Sequence, residues 1–258
     1  MKKTIVTFLI GFVILSCKSV VFKENLFEED ADFDIKGNVK TIACYQTIKN
    51  EKTDSLKVFL FYDKSKKLTK QIDYHKKTND TTLFNYDKEN RLLEEKSSRH
   101  RGIYSNKYKY DKNGNLFSYQ QLSKGEISFE IKYFYDKRNN VISEVRQDKN
   151  KPADTGYYEI DYKKRMRKLK NSGPNGLNIN SYDKNGNNIK NESIYATILY
   201  EYDKRNRMSK KTVINKDGKK KYENIYLNKY DKFNNLIEIV VITDGKFYRR
   251  DTNIIKYY

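Results

Sequence analysis

Tyr110-Asp111-Lys112-Asn113-Gly114-Asn115-Leu116 is the stretch that decides the fold, because the chain repeats it. Intact or worn copies start at Phe33, Tyr62, Tyr86, Tyr110, Tyr135, Tyr162, Tyr182, Tyr202 and Tyr230, spaced 20–29 residues apart. That period belongs to repeat architectures. The spacing within a copy has a mechanical reading. An aromatic residue ends one strand, and the Asp after it can bond the backbone two residues on. The residue four beyond the aromatic is Gly or Asn in seven copies, and both tolerate φ > 0. This predicts a type I turn followed by a left-handed residue, the three-residue hairpin loop with a bulge. The predicted turn residues are Asp34, Gly37, Asp63, Asp87, Asn90, Asp111, Gly114, Asp136, Asn139, Asp183, Gly186, Asp203, Asn206, Asp231 and Asn234.

Two positions further on, an apolar residue opens the return strand: Val39, Leu68, Leu92, Leu116, Val141, Met208 or Leu236. The copy at Tyr182 has Asn188 there. Two copies are worn. The one at Tyr62 has Lys66 at the left-handed position; the one at Tyr162 has Lys163 for Asp and Met166 for Gly or Asn. A distorted or looser turn is expected at both. Eight of the nine copies keep Asp directly after the aromatic, a phase that a Tyr-, Lys- and Asn-rich composition alone rarely produces.

Segments before the Tyr-Asp pairs alternate with period two, the signal of a half-buried strand. From Ile127 to Tyr135 one face carries Ile127, Phe129, Ile131, Tyr133 and Tyr135. Two strands per repeat give about 16–18 strands, and open sheets beyond about ten strands usually curl or split. The expected fold is all-β: one elongated antiparallel meander over 33–258, an open sheet curled so that its Tyr-bearing face packs on itself. The worn stretch near Lys151–Pro174 is the candidate bend or break. Apolar content is 37% with 23 Tyr in the chain, so the core should be thin and Tyr-rich. A membrane-spanning barrel needs an apolar face toward lipid. Here the second face is repeatedly Lys, Glu, Asn and Ser, which argues against one.

The Tyr-Asp pair followed by Gly-Asn and an aliphatic resembles the YD repeat of RHS-type proteins, over roughly residues 33–258. The resemblance implies antiparallel strands of one long sheet that curls or spirals, which large members close into a shell around a toxin. This chain is far shorter, so neither a closed shell nor toxin cargo is expected.

Residues 1–16 read as a secretory signal: Lys2 and Lys3, an apolar run from Ile5 to Leu15, then Ser16. The run is too short to span a membrane as a helix. Ile14-Leu15-Ser16-Cys17 resembles a bacterial lipobox, in which Cys17 is lipidated and becomes the mature N-terminus. That implies a body tethered by acyl chains to the cell envelope, with the outer membrane the expected site. Residues 17–32 form the tether. Its Glu28, Glu29, Asp30 and Asp32 lack the spacing of a calcium loop.

The formal charge is +19, or +17 once Lys2 and Lys3 leave with the signal. Attraction to polyanions follows. Export argues against nucleic acid and toward glycans, lipopolysaccharide phosphates or lipid headgroups. Part of the charge also serves as a solvated strand face that discourages edge pairing. Cys44 has no partner once Cys17 is lipidated and reads as a buried thiol. His75 and His100 stand in no ligand-spaced motif, and no nucleophile elbow or phosphate loop appears. The repeated Asp residues read as turn caps. No enzyme activity, cofactor or metal is expected. The expected function is ligand binding by a Tyr- and Lys-rich surface, with Tyr108, Tyr133, Tyr158, Tyr200 and Tyr226 as candidates. The alternatives are an accessory or protein-interaction partner of a toxin system, and a structural spacer of the envelope.

Overall fold

The computed structural model describes residues 35–51, 53–75, 78–99, 102–171 and 177–258. The signal, Cys17, the tether, Asp34 and His100 therefore lie outside the described residues. Eighteen strands follow one another: β1 (Val39–Ile48), β2 (Ser55–Tyr62), β3 (Leu68–Tyr74), β4 (Asn79–Tyr86), β5 (Leu92–Arg99) and β6 (Gly102–Tyr110). Then come β7 (Leu116–Ser123), β8 (Glu126–Tyr135), β9 (Val141–Asp148), β10 (Asp154–Asp161), β11 (Met166–Asn171) and β12 (Leu177–Tyr182). The last are β13 (Asn188–Ser193), β14 (Ala196–Tyr202), β15 (Met208–Asn215), β16 (Lys220–Tyr230), β17 (Leu236–Thr243) and β18 (Lys246–Tyr257). Each pairs antiparallel with the next, as the meander reading expects.

The sheet does not stay open. β1 pairs with β18 from Val39↔Tyr257 to Ile48↔Arg249, and the meander closes into an 18-stranded barrel. The expected open, curled sheet is corrected on this point. The expected break near 151–174 is corrected too, since β9, β10, β11 and β12 pair in unbroken succession. Closure satisfies both strand edges, the groups that an open meander leaves exposed to pairing with other chains. The physical cause lies at the seam. Val39, Ile42, Leu60 and Tyr62 form a buried cluster, with Ile35, Cys44, Val58, Leu68, Ile255 and Tyr257 packed against it. The apolar side chains of the first and last strands are thus removed from water by pairing with each other. Lys36 and Asn235 add two hydrogen bonds of 2.7 and 2.9 Å across the same seam.

The turns follow the sequence reading closely. At Asp111, the Gly114 amide donates to the Asp111 carbonyl at 3.1 Å, and the Asp111 amide donates to the Asn115 carbonyl at 2.9 Å. The Asp111 carboxylate accepts the amides of Asn113 and Asn115, both at 2.8 Å. Asp63, Asp136, Asp183, Asp203 and Asp231 repeat this double capture of turn amides. Gly37, Asn90, Gly114, Asn139, Gly186, Asn206 and Asn234 all take positive φ. The worn copy at Tyr62 is not looser, which corrects that expectation. Lys66 itself adopts φ 65, because the Asp63 carboxylate holds the amides of Ser65 and Lys67 regardless of the side chain at position 66. The copy at Tyr162 does differ. Without its Asp, the loop shortens to the four residues between Asp161 and Met166, with no bulge behind it, and Arg165, rather than Met166, takes the positive φ, so this turn is altered but not looser as expected.

A second bulge follows seven of these turns. In the β6–β7 pair, Lys109 faces Ser118 and Tyr110 faces Leu116, so Phe117 is the extra residue. The bulge turns Leu116 inward and Phe117 outward. Register then fixes two faces all the way round. The inner face carries the tyrosines of the Tyr-Asp pairs and the buried residues Val39, Ile42, Leu60, Tyr133, Val141, Tyr200, Val213, Leu236 and Val241. The outer face mixes Lys and Glu with scattered exposed apolar side chains such as Leu83, Ile103, Phe134 and Leu227.

Candidate binding surface on the inner wall

Among the described residues, no strand has a Cα within 8 Å of any strand but its two neighbours. The wall is one sheet thick. Eighteen strands at about 4.8 Å spacing and about 40° tilt would give a round section roughly 35 Å across between Cα atoms. Barrels of this strand number leave room for solvent or ligand inside.

The tyrosines that end the strands tie repeat to repeat. The hydroxyls of Tyr86, Tyr110, Tyr135 and Tyr202 donate to the carbonyls of Leu68, Leu92, Leu116 and Asn188, at 2.7–2.9 Å. Each reaches back to the first residue of the preceding return strand. Tyr230 donates instead to the Asp203 carboxylate at 2.6 Å, and Tyr257 to that of Asp231. Tyr258 donates to the Tyr62 carbonyl at 2.7 Å and so closes the ring. Burial first, then the carboxylates of Glu95 and Asp63, push the Tyr86 hydroxyl up to about 12. The Tyr86 hydroxyl therefore stays a neutral donor at physiological pH.

Further along the inner wall, β5 to β11 carry a continuous aromatic and charged stripe. The Tyr108 and Tyr119 rings lie 5.4 Å apart, and those of Tyr119 and Phe129 5.7 Å apart. The Arg146 guanidinium sits 4.6 Å from the Phe129 ring and pairs with Asp148 at 2.8 Å. Tyr158 donates to Glu144 at 2.9 Å, and the Arg167 guanidinium lies 4.3 Å from the Tyr158 ring. Tyr119 donates to the side-chain oxygen of Asn106 at 3.1 Å, and Asn106 in turn donates to Glu95 at 2.9 Å. Burial, with Glu95 next, raises the Tyr108 and Tyr119 hydroxyls above the ordinary phenol value. Tyr108, Tyr119, Phe129 and Tyr158 are half-buried, so each keeps a surface toward the interior.

At β12 and β13 the wall changes character. Asn191 donates to Asn178 at 2.7 Å and to Asn180 at 2.8 Å, and Asn188 donates to Asn180 at 2.9 Å. Around the seam it is aliphatic. Cys44 faces inward there between Asp73 and Asp251; burial first, then those carboxylates, push its thiol up to about 12. Among the described residues, no group of His, Cys, Asp and Glu is gathered in a way that could hold a metal ion.

All five tyrosines singled out from the sequence face inward, but they do not form one site. Tyr108 and Tyr158 belong to the stripe. Tyr133 and Tyr200 are buried, at 8% and 6% exposure, and leave no ring face for a ligand. Tyr226 lies opposite Val241, outside the stripe. Glu95, Asn106, Tyr119, Phe129, Glu144, Arg146 and Arg167 were not read as site residues. Register would have found them, since Tyr119 lies directly opposite Tyr108 once the Phe117 bulge is counted. The expectation that Tyr and Lys share one surface is corrected. Among the described residues of known burial, the cations on the inner face are Arg146, Arg167, Lys211 and Arg249; the other lysines occupy the outer wall and the turns.

No family model and no curated protein matches this sequence. Solved structures with a similar chain path include a porin-like protein from Bacteroides uniformis, at 8% identity and a TM-score of 0.49, covering 86% of this chain and 98% of that one. A second porin-like protein, from Bacteroides vulgatus, aligns at 14% identity and a TM-score of 0.31, covering 85% and 98%. The Photorhabdus luminescens Tc holotoxin pore aligns at 13% identity and a TM-score of 0.30, covering 83% of this chain but 14% of that one. At such identities none of these carries an activity over to this chain.

Proposed function

We propose that this chain is a non-catalytic, lipid-anchored envelope protein whose barrel binds an oligosaccharide on the inner stripe. The observation that carries the reading is the half-buried aromatic run Tyr108–Tyr119–Phe129, flanked by Asn106, Glu95, Glu144, Arg146 and Arg167. Ring faces stack on the apolar faces of sugars, while carboxylates, amides and guanidinium groups bond their hydroxyls. Glu95, Glu144 and Asp148 nearly balance Arg146 and Arg167 in charge, which favours a neutral glycan over an acidic one. Anchoring at Cys17 fits an exported sugar-binding protein, and Cys17→Ser should release it from the membrane fraction.

Every strand and every closing bond lies within residues 35–258, so residues 18–258 retain the whole barrel. The test presents this form to arrays of neutral and acidic glycans at low and high salt. Selective binding of a neutral glycan that survives high salt is expected. Tyr119→Ala should weaken it roughly tenfold, while Tyr226→Ala should not. Binding of every polyanion that vanishes with salt, or equal losses in both variants, would overturn the reading.

A further inference from the structure

The barrel has two unlike rims. Among the described residues, the eight repeat turns from Tyr62 to Tyr230 all fall on one of them, because each closes a hairpin in the same sense. The residue after the Asp, or its equivalent at the Tyr162 turn, is Lys64, Lys88, Lys112, Lys137, Lys164, Lys184, Lys204 or Lys232. All eight are exposed. Their neighbouring Asp carboxylates are turned onto the backbone amides of the turn, so they cap the turn instead of pairing with the lysines. Lys64, Lys112, Lys137, Lys184 and Lys204 make no ion pair among the described residues, while Lys88 and Lys164 reach Glu89 and Asp161 only at 3.8 and 3.9 Å. The opposite rim also exposes lysines, Lys49, Lys124, Lys216 and Lys246 among them, but it sets Glu51, Asp54, Glu126, Asp148, Asp154, Asp217 and Asp244 beside them, whereas Lys66, Arg138, Arg165 and Arg205 add to the charge of the Tyr-Asp rim. There Lys149 pairs with Glu126, Lys151 with Asp148, Lys220 with Asp244 and Arg250 with Asp54.

Two further observations select the partner. First, the described chain begins and ends on the lysine rim: Ile35 to Gly37 lead into β1 there, and Tyr258 donates its amide to Asn38 at 2.8 Å. Ile35, the first described residue, thus lies at this rim, 18 positions after Cys17 in the sequence. Second, the bulge behind four of the turns points an apolar side chain outward just below the lysines. Leu93, Phe117, Ile142 and Ile189 occupy this same repeat position with 37–41% exposure. A ring of lysines backed by an apolar collar matches phosphate headgroups over acyl chains better than it matches a soluble polyanion.

We infer that the Tyr-Asp rim is a docking face for an anionic phospholipid surface. The lysine ring contacts phosphates and the collar enters the headgroup boundary. The barrel then stands upright on the membrane with its opposite rim facing away. This goes beyond glycan binding and does not depend on it.

The test measures binding of unlipidated residues 18–258 to vesicles of phosphatidylcholine alone and of equimolar phosphatidylcholine and phosphatidylglycerol. Binding to the anionic vesicles only is expected. Each rim lysine near the surface should contribute about fivefold, the equivalent of about 1 kcal/mol. The set Lys64→Gln, Lys112→Gln, Lys137→Gln and Lys184→Gln should thus weaken binding by roughly 100-fold or more. An outer-wall set with the same change in net charge, Lys96→Gln, Lys107→Gln, Lys132→Gln and Lys229→Gln, should cost far less. Phe117→Ser with Ile142→Ser should weaken binding to vesicles but not to heparin. Equal losses in the two lysine sets, no binding to anionic vesicles, or a collar variant that binds vesicles normally would each overturn the proposal.

Discussion

Asp203 joins two repeats, and removing its side chain should cost more than removing any ordinary turn Asp. One carboxylate oxygen accepts the amides of Arg205 at 2.8 Å and Arg207 at 3.0 Å, which holds its own turn. The other accepts the Tyr230 hydroxyl at 2.6 Å, a residue of the next repeat. Burial tends to raise this carboxyl, but the Tyr230 hydroxyl and the turn amides more than offset it and hold it below the usual carboxylate range. Burial first, then the hydrogen bond to Asp203, raises the Tyr230 hydroxyl. Asp203→Ala should lose a cap of about 1 kcal/mol and a charge-assisted hydrogen bond of about 1.5–3 kcal/mol. At about 2–4 °C per kcal/mol for a chain of this size, the melting temperature should fall by roughly 5–15 °C. Asp111→Ala, which loses capping without a tyrosine partner, should fall less. A double-mutant cycle of Asp203→Ala with Tyr230→Phe, followed by thermal unfolding, isolates the link between repeats. A coupling energy near zero, or equal losses at Asp203 and Asp111, would refute the reasoning.

Other outcomes follow from the same geometry. Gly114 has φ +82 and open space where a Cβ would stand, so Gly114→Val should cost about 1–2 kcal/mol from backbone conformation alone, and Gly114→Asn clearly less; equal melting temperatures would contradict the turn assignment. Tyr86 is neutral in the fold and pushed up to about 12. Its contribution to stability is complete below the unfolded phenol value of about 10 and is lost as pH rises from there through about 12, so equilibrium unfolding should show an alkaline loss that Tyr86→Phe reduces. Cys44, pushed up to about 12, should resist thiol reagents at neutral pH in the folded protein and react promptly in denaturant. Rapid labelling of the native form would place that thiol outside the wall.

The turns were legible in the sequence because their physics is local. An Asp that captures the amides two and four residues on needs no distant partner, and the φ > 0 residue follows from the same few atoms. Lys66 shows the limit of reading residue by residue: its side chain disfavours the left-handed region, yet Asp63 holds the turn. Closure was not legible. Val39 and Ile42 look like any strand residues, and their partners Tyr257 and Ile255 lie more than 200 residues away. The second bulge was also hidden, since Phe117 continues an apolar run that alternation alone cannot place on a face. Missing it obscured which side chains meet across the hairpins. The separate tyrosines were therefore visible, but not the stripe that joins Tyr108 to Tyr119, Phe129 and Arg146. Net charge pointed to anions without showing how the cations divide between the two rims and the outer wall, or that the interior is left nearly balanced.

The closed wall is the claim on which the inner stripe and the two rims depend, and one cross-link tests it. Thr41 in β1 lies directly opposite Lys256 in β18, and such pairs stand about 4.5–5.5 Å apart at Cα, within disulfide range. In an open, uncurled sheet of 18 strands the two edges would be roughly 80 Å apart. The measurement is mild oxidation of dilute Thr41→Cys with Lys256→Cys in a Cys44→Ala background, followed by intact mass and non-reducing electrophoresis. A closed barrel predicts near-complete intramolecular disulfide in a monomer. Free thiols or disulfide-linked oligomers alone would contradict closure.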